Sequence, residues 1–341
     1  MTLENGMTRW RRFGRLVSVR LAIAMVLCGA VSVPGFAQSG WKPESPVEII
    51  VPSGPGGGTD HTARVVQQIM QQQKLVSAPV NVVNKTGGGG AIAVSYLNQF
   101  RGNGHYMHLA SAVFLTAHIV GRTTTHYTDV TPLALLQSEY VVLAVKSDSP
   151  LRNANDLVAR LKQDPGALSI SVGTSFGGAN HSAIAAIART GGVDPKKLKT
   201  VVFKASSEAA VAALGGHVDV VSASASQVLT HVRSGQMRLI GVTAPARLKG
   251  DLGGVPTLKE QGIHVEVNNF RMLLGPKDLT AAQIAYWDQV LAKLVQADDW
   301  KKDLERDVVE GTYMNSREIR KYLDSEYAEL KALLAEMGLV K

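Results

Sequence analysis

Apolar residues along the chain come in two rhythms, short β-rich runs and longer stripes at helical spacing, and the two alternate. Residues 47–51 read as a strand, and 59–72 as a helix carrying Ala63, Val66, Ile69 and Met70 on one face. Strands are expected next at 80–83, 107–110 and 141–145, with a helix over 91–99. The second half repeats the style, with strands at 168–172, 201–203, 218–222 and 239–242 and helices at 181–190 and 206–214. Such alternation predicts mostly parallel sheets built from βαβ crossovers. Two long amphipathic helices close the chain. Thr280 with Gln283 forms a capping box before Ile284, Trp287, Val290, Leu291 and Leu294. Asn315 with Glu318 opens a second helix bearing Ile319, Tyr322, Leu323, Leu330, Leu333 and Leu334, which ends at Gly338. These stripes read as packing surfaces.

The first 37 residues follow a different logic. Arg9, Arg11, Arg12, Arg15 and Arg20 precede an apolar run over 21–33 and then Gly35-Phe36-Ala37, which are the parts of a secretory leader. The run is too short to span a bilayer, so cleavage near Ala37 and a periplasmic destination are expected. The single cysteine, Cys28, falls inside that run after the bulky Leu27, which argues against lipid attachment. Without 1–37 the formal charge drops from +8 to +4. The remaining basic residues are scattered apart from Lys196, Lys197 and Lys199, so nucleic acid is not an expected partner. Length suggests two domains, the first over 42–145 and again from about 268 to 341, the second over 146–267. The closing helices can contact both.

The chemistry concentrates in turns between strands and helices. Ser53-Gly54-Pro55-Gly56-Gly57-Gly58-Thr59-Asp60 joins the first strand to the first helix. Consecutive glycines let backbone N–H groups approach a ligand closely, and the helix N-terminus adds orphan donors and partial positive charge. Thr59 or Asp60 is expected to cap that helix; a tight turn with no ligand is the alternative reading. Asn84-Lys85-Thr86 followed by Gly87 to Gly90, and the stretch from Gly173 to His181, have the same build. Open α/β sheets bind ligands at the carboxyl ends of their strands, so glycine-rich turns in both halves predict an anion-binding cleft.

Enzyme readings fare less well. The 54–58 turn lacks the Gly-Lys-Ser/Thr of a phosphate-binding loop, and Thr59 stands where a dinucleotide fingerprint needs its third glycine. Gly173-Thr174-Ser175-Phe176-Gly177 does match the Gly-x-Ser-x-Gly nucleophile elbow. A serine hydrolase of α/β type would then use Ser175, with Asp219 or Asp251 and His231 or His264, but no oxyanion segment of His-Gly-Gly type accompanies it. The nine histidines show no metal-ligand spacing. Neither a metal nor a cofactor is called for.

Four ordered stretches carry a resemblance. VEIIVPSGPGGGTDHTAR (47–64) resembles the first strand, turn and helix of the Bug-type solute receptors of tripartite tricarboxylate transporters, and VNVVNKTGGGGAIA (80–93) resembles their second strand and glycine turn. FKASSEAAVAALGGHVDV (203–220) and NNFRMLLGP (268–276) continue the match, which covers nearly all of 45–338. The resemblance implies an α/β, two-domain periplasmic binding protein, type II-like, with the ligand in a cleft between domains. It further implies a monomeric, non-enzymatic receptor for a small organic carboxylate, which it hands to the membrane subunits of a transporter or reports to a sensor ectodomain. Carried residue by residue, it nominates Ser53, Pro55, Gly56, Gly57, Thr59 and Asp60 on one wall and Thr174, Ser175, Gly178 and Asn180 on the other. Ser111, Ser206 and Ser207 are nominated as neighbours. Two departures, Ser53-Gly54 and Ala205-Ser206-Ser207, lie where ligand choice is made, so the particular acid does not transfer. Arg271 sits within an otherwise apolar crossing strand. It is expected either to grip a second ligand carboxylate far from the glycine turns or to pair with Glu139 or Glu266.

Overall fold

The computed structural model describes residues 40–172, 176–203 and 206–340, the side chains of Ser206 and Ser207 excepted. The leader read at 1–37, Thr174 and Ser175 lie outside the described residues.

Among the described residues, ten strands form two five-stranded sheets. The first takes β1 (Val47–Val51), β2 (Val80–Asn84), β3 (Tyr106–Ser111), β4 (Thr131–Gln137) and β10 (Arg271–Gly275) in the order β2-β1-β3-β10-β4. The second takes β5 (Val141–Lys146), β6 (Ser169–Ser171), β7 (Lys199–Val201), β8 (Val220–Ser224) and β9 (Met237–Val242) in the order β7-β6-β8-β5-β9. In each sheet the fourth-placed strand is antiparallel to both neighbours and the rest share one direction. Each of those odd strands follows directly on a crossing between the sheets. Because β5 belongs to the second sheet, the first crossing falls at 138–140 rather than after 145 as the sequence suggested. The return crossing lies beside it: Tyr140 bridges Asn268, and Asn269 donates its N–H to Glu139 O at 2.7 Å.

Helices cover both faces of each sheet. In the first domain α1 (Gly58–Gln72) packs with the C-terminal α8 (Ala281–Leu294) and α9 (Asp298–Asp307) around fully buried Trp287 and Trp300. The opposite face carries α2 (Ala91–Leu97), α3 (Val113–Ile119) and the long α10 (Ser316–Glu336). The second domain uses α4 (Ala154–Gln163), α5 (Ala179–Thr190), α6 (Ser206–Leu214) and α7 (Ala225–Arg233). Both expected capping boxes form, at Thr280 with Gln283 and Asn315 with Glu318. Three helices close the chain, not two, since α9 stands between the expected pair. The last of them reaches across: Leu333 packs on the second domain's core and Glu336 pairs with Arg189.

Candidate functional site

Both sheets direct their strand-to-helix turns into one cavity of about 960 Å³, within the size range of small-molecule sites. The first wall is the turn after β1. Gly56 takes the left-handed conformation (φ +79°), and Gly57 N–H bonds back to Gly54 O at 3.1 Å. A Cβ on Gly57 would lie 2.8 Å from Ser53 Oγ, so this position has no room for a side chain. The first intrahelical bond runs from His61 N–H to Gly57 O, which leaves the N–H groups of Gly58, Thr59 and Asp60 without an acceptor inside the helix. Ser53 Oγ and Thr59 Oγ1 are bonded at 2.7 Å, and both residues line the cavity.

Two expectations about this turn are corrected. Gly57, not Thr59 or Asp60, is the N-cap, and no side chain caps the helix. Asp60 is also removed from the ligand set: it is buried, does not line the cavity, and braces the turn from behind. Its carboxylate accepts from Gly56 N–H (2.8 Å), Asn84 Nδ2 (2.8 Å) and Arg64 Nε (2.9 Å). Burial raises its pKa, but the bonds from Arg64, Asn84 and Gly56 outweigh that and hold it below the ordinary value. Gly57→Ala should cost about 1–3 kcal/mol through overpacking against Ser53. Gly54→Ala, where a Cβ meets nothing within 4 Å, should cost almost nothing. Equal unfolding midpoints for the two variants would refute this account of the turn.

The second turn supplies Gly87, Gly89 and Gly90 to the cavity. All four glycines from Gly87 to Gly90 have positive φ, a conformation that side-chain-bearing residues rarely adopt. From the second domain come Phe176, Gly178, Ala179 and Asn180. Gly178 caps α5 in extended conformation, and Gly177 N–H donates to Nδ1 of the buried His181 at 2.9 Å. Burial pushes the His181 pKa down to about 4, which keeps that nitrogen an acceptor. Ser111, at the end of β3, lines the cavity as nominated. Ser206 and Ser207 fall in the first turn of α6, with Val202 upstream on the cavity wall.

Arg271 is on the cavity wall, but not where the sequence reading put it. Its Nη2 lies 3.1 Å from where a Cβ of Gly58 would be, directly against the first glycine turn rather than far from it. Nη2 also bonds Glu139 Oε2 at 3.0 Å, and the two side chains are only 7% and 5% exposed. Nη1 donates to Asn269 O and Phe270 O. Glu266, the other nominated partner, faces Lys259.

Several cavity residues were not foreseen. Arg122, exposed after α3, donates through Nη2 to Phe176 O at 3.3 Å and so touches both walls. Ser224, Gln227 and Asn269 line the second-domain side, and His108 of β3 lines the first. His108 Nδ1 meets Ile50 O at 3.0 Å, and burial lowers its pKa to about 4. Among the described residues, the cavity lining contains two arginines and no carboxylate. Three of the four hydrolase partners nominated by sequence are engaged elsewhere, and the fourth, His264, is exposed and does not line the cavity. Asp219 accepts from Ser169 N–H and Oγ, Asp251 pairs with Arg233, and His231 bonds Gln236.

The fold and site together define a two-domain solute receptor with an anion-suited cleft. Comparison with known proteins agrees: the tripartite tricarboxylate transporter family receptor (TctC) matches residues 62–339, and the chain belongs to that family. A UPF0065 protein from the gbd 5′ region of Cupriavidus necator is 25% identical over 94% of this chain and 96% of its own. BugT of Bordetella pertussis is 26% identical over 71% and 73% of the two chains. Among solved structures, a TctC solute binding protein from Polaromonas is 27% identical with a TM-score of 0.71, covering 86% of this chain and 99% of that one. An R. palustris protein solved with adipate shares the fold at TM-score 0.78 and 21% identity, covering 87% and 99%.

Proposed function

We propose that the chain is a periplasmic receptor that captures a small organic carboxylate in the cleft and delivers it to a tripartite tricarboxylate-type transporter. The carrying observation is a cavity whose lining, among the described residues, holds no carboxylate and in which glycine turns from both domains converge with Arg122 and Arg271. Backbone amides and a helix N-terminus hold an anion without the cost of burying an unpaired cation. The adipate found in a protein of the same fold supports this ligand class. The action is reversible binding without chemistry, in keeping with the commitment of Asp219, Asp251 and His231 to other partners.

A thermal-shift screen of organic acids, sugars and amino acids tests this reading. An acid present at one hundred times its Kd should stabilise the protein by about 2.7 kcal/mol and be recovered unchanged. Midpoints raised only by sugars or cationic amino acids would overturn it.

A further inference from the structure

The buried ion pair beside the first glycine turn has a second attachment. While Glu139 Oε2 holds Arg271, Oε1 accepts from Ser226 Oγ at 2.8 Å, at the start of α7 in the second domain. Glu139 itself lies in the first crossing, tied through its carbonyl to Asn269 of the return crossing. One carboxylate thus joins the anion-suited wall, the second domain and the crossing between them.

We propose that Glu139 is a positioning residue that sets how strongly the first glycine turn binds an anion. It presses the Arg271 guanidinium against Gly58 and cancels its charge, so an arriving carboxylate meets a neutral pair rather than a bare cation. The attraction between a carboxylate and Arg271 is then offset by repulsion from Glu139, which lies within bonding distance of the same nitrogen. A receptor built this way binds an anion firmly enough to capture it and loosely enough to release it. An anion that draws Nη2 away from Glu139 also loosens the carboxylate shared with Ser226, which couples occupancy to the crossing.

The inference rests on the cleft being the anion site, but its test needs no knowledge of the natural ligand. Acetate serves as the probe and acetamide, its neutral isostere, as the control, each titrated against the unfolding midpoint at fixed ionic strength. Glu139→Gln keeps the shape of the side chain and removes its charge. It should bind acetate about tenfold more tightly than the unaltered protein, with no change toward acetamide. Equal acetate affinity, or an equal gain for acetamide, overturns the proposal. The double variant Glu139→Gln/Arg271→Met, which removes both charges, should lose that gain. Arg271→Met alone leaves the Glu139 charge unopposed beside the turn and should bind acetate more weakly than the double variant. Retention of the gain in the double variant, or equal acetate affinity of the double variant and Arg271→Met, also overturns the proposal, and the second comparison decides the matter if Glu139→Gln alone does not fold. A gain for acetate in Glu139→Gln alongside a failed organic-acid screen would sink the receptor reading and leave this one standing.

Discussion

Between pH 6.5 and pH 4 the protein is expected to lose several kcal/mol of stability. His108 is buried on the cavity wall and His181 behind the second-domain turn, and burial lowers both pKa values from 6.5 to about 4. A depressed folded-state pKa means that the unfolded chain takes up protons first. The stabilisation is therefore complete above the unfolded value of 6.5 and drains away as pH falls toward 4. At about 1.4 kcal/mol per unit, each histidine contributes at most about 3 kcal/mol. His61 acts in the opposite sense, because its bond to Asp303 raises its pKa, but its side chain is 42% exposed and solvent screens the effect. Asp60 enters only lower, below its ordinary 3.8. Urea unfolding across this range measures the slope. His181→Asn, which keeps an acceptor for Gly177 N–H, should remove about half of it. A flat profile would show that neither histidine is held neutral.

Arg271→Met should lower stability by about 3–5 kcal/mol, because it strands the Glu139 carboxylate in a site that water barely reaches. The loss belongs to the unpaired charge rather than to a missing bond. Adding Glu139→Gln should therefore recover much of it, since a neutral amide tolerates the same burial better. Denaturant midpoints of the two variants give the comparison. If the double variant is as unstable as the single one, the cost lies in the packing of the arginine stem instead.

The glycine turns, and with them one wall of the site, were legible because their constraint is local. Gly56 and Gly87 to Gly90 need backbone conformations that other residues resist, and such a need is visible in the residue itself. The capping boxes were legible for the same reason. What stayed hidden depends on neighbours remote in sequence. β4 is buried along its whole length and so lacks an alternating pattern, and it carries Pro132, which is tolerated there because β4 is an edge. Asp60 looked like a ligand or cap residue until Asn84 and Arg64 were seen to claim it. Arg122 and Gln227 give no local sign at all, since the turn after α3 and the helix α7 that carry them reach the cavity only through tertiary packing. Arg271 was marked by its charge in an apolar strand, but its distance from the glycine turns could not be read without the register that sets it opposite Ser111.

The strand exchange at the crossings also sets an order of assembly. A chain made from its N-terminus completes β3 and β4 long before β10, which must slot between them. Until then the first sheet holds two unpaired edges, the kind of surface that recruits other chains. The second sheet closes earlier, because β5 precedes both of the strands that flank it. The second domain, from the middle of the chain, therefore matures first, and the wall bearing the first glycine turn is finished only when the last seventy or so residues arrive to seal it.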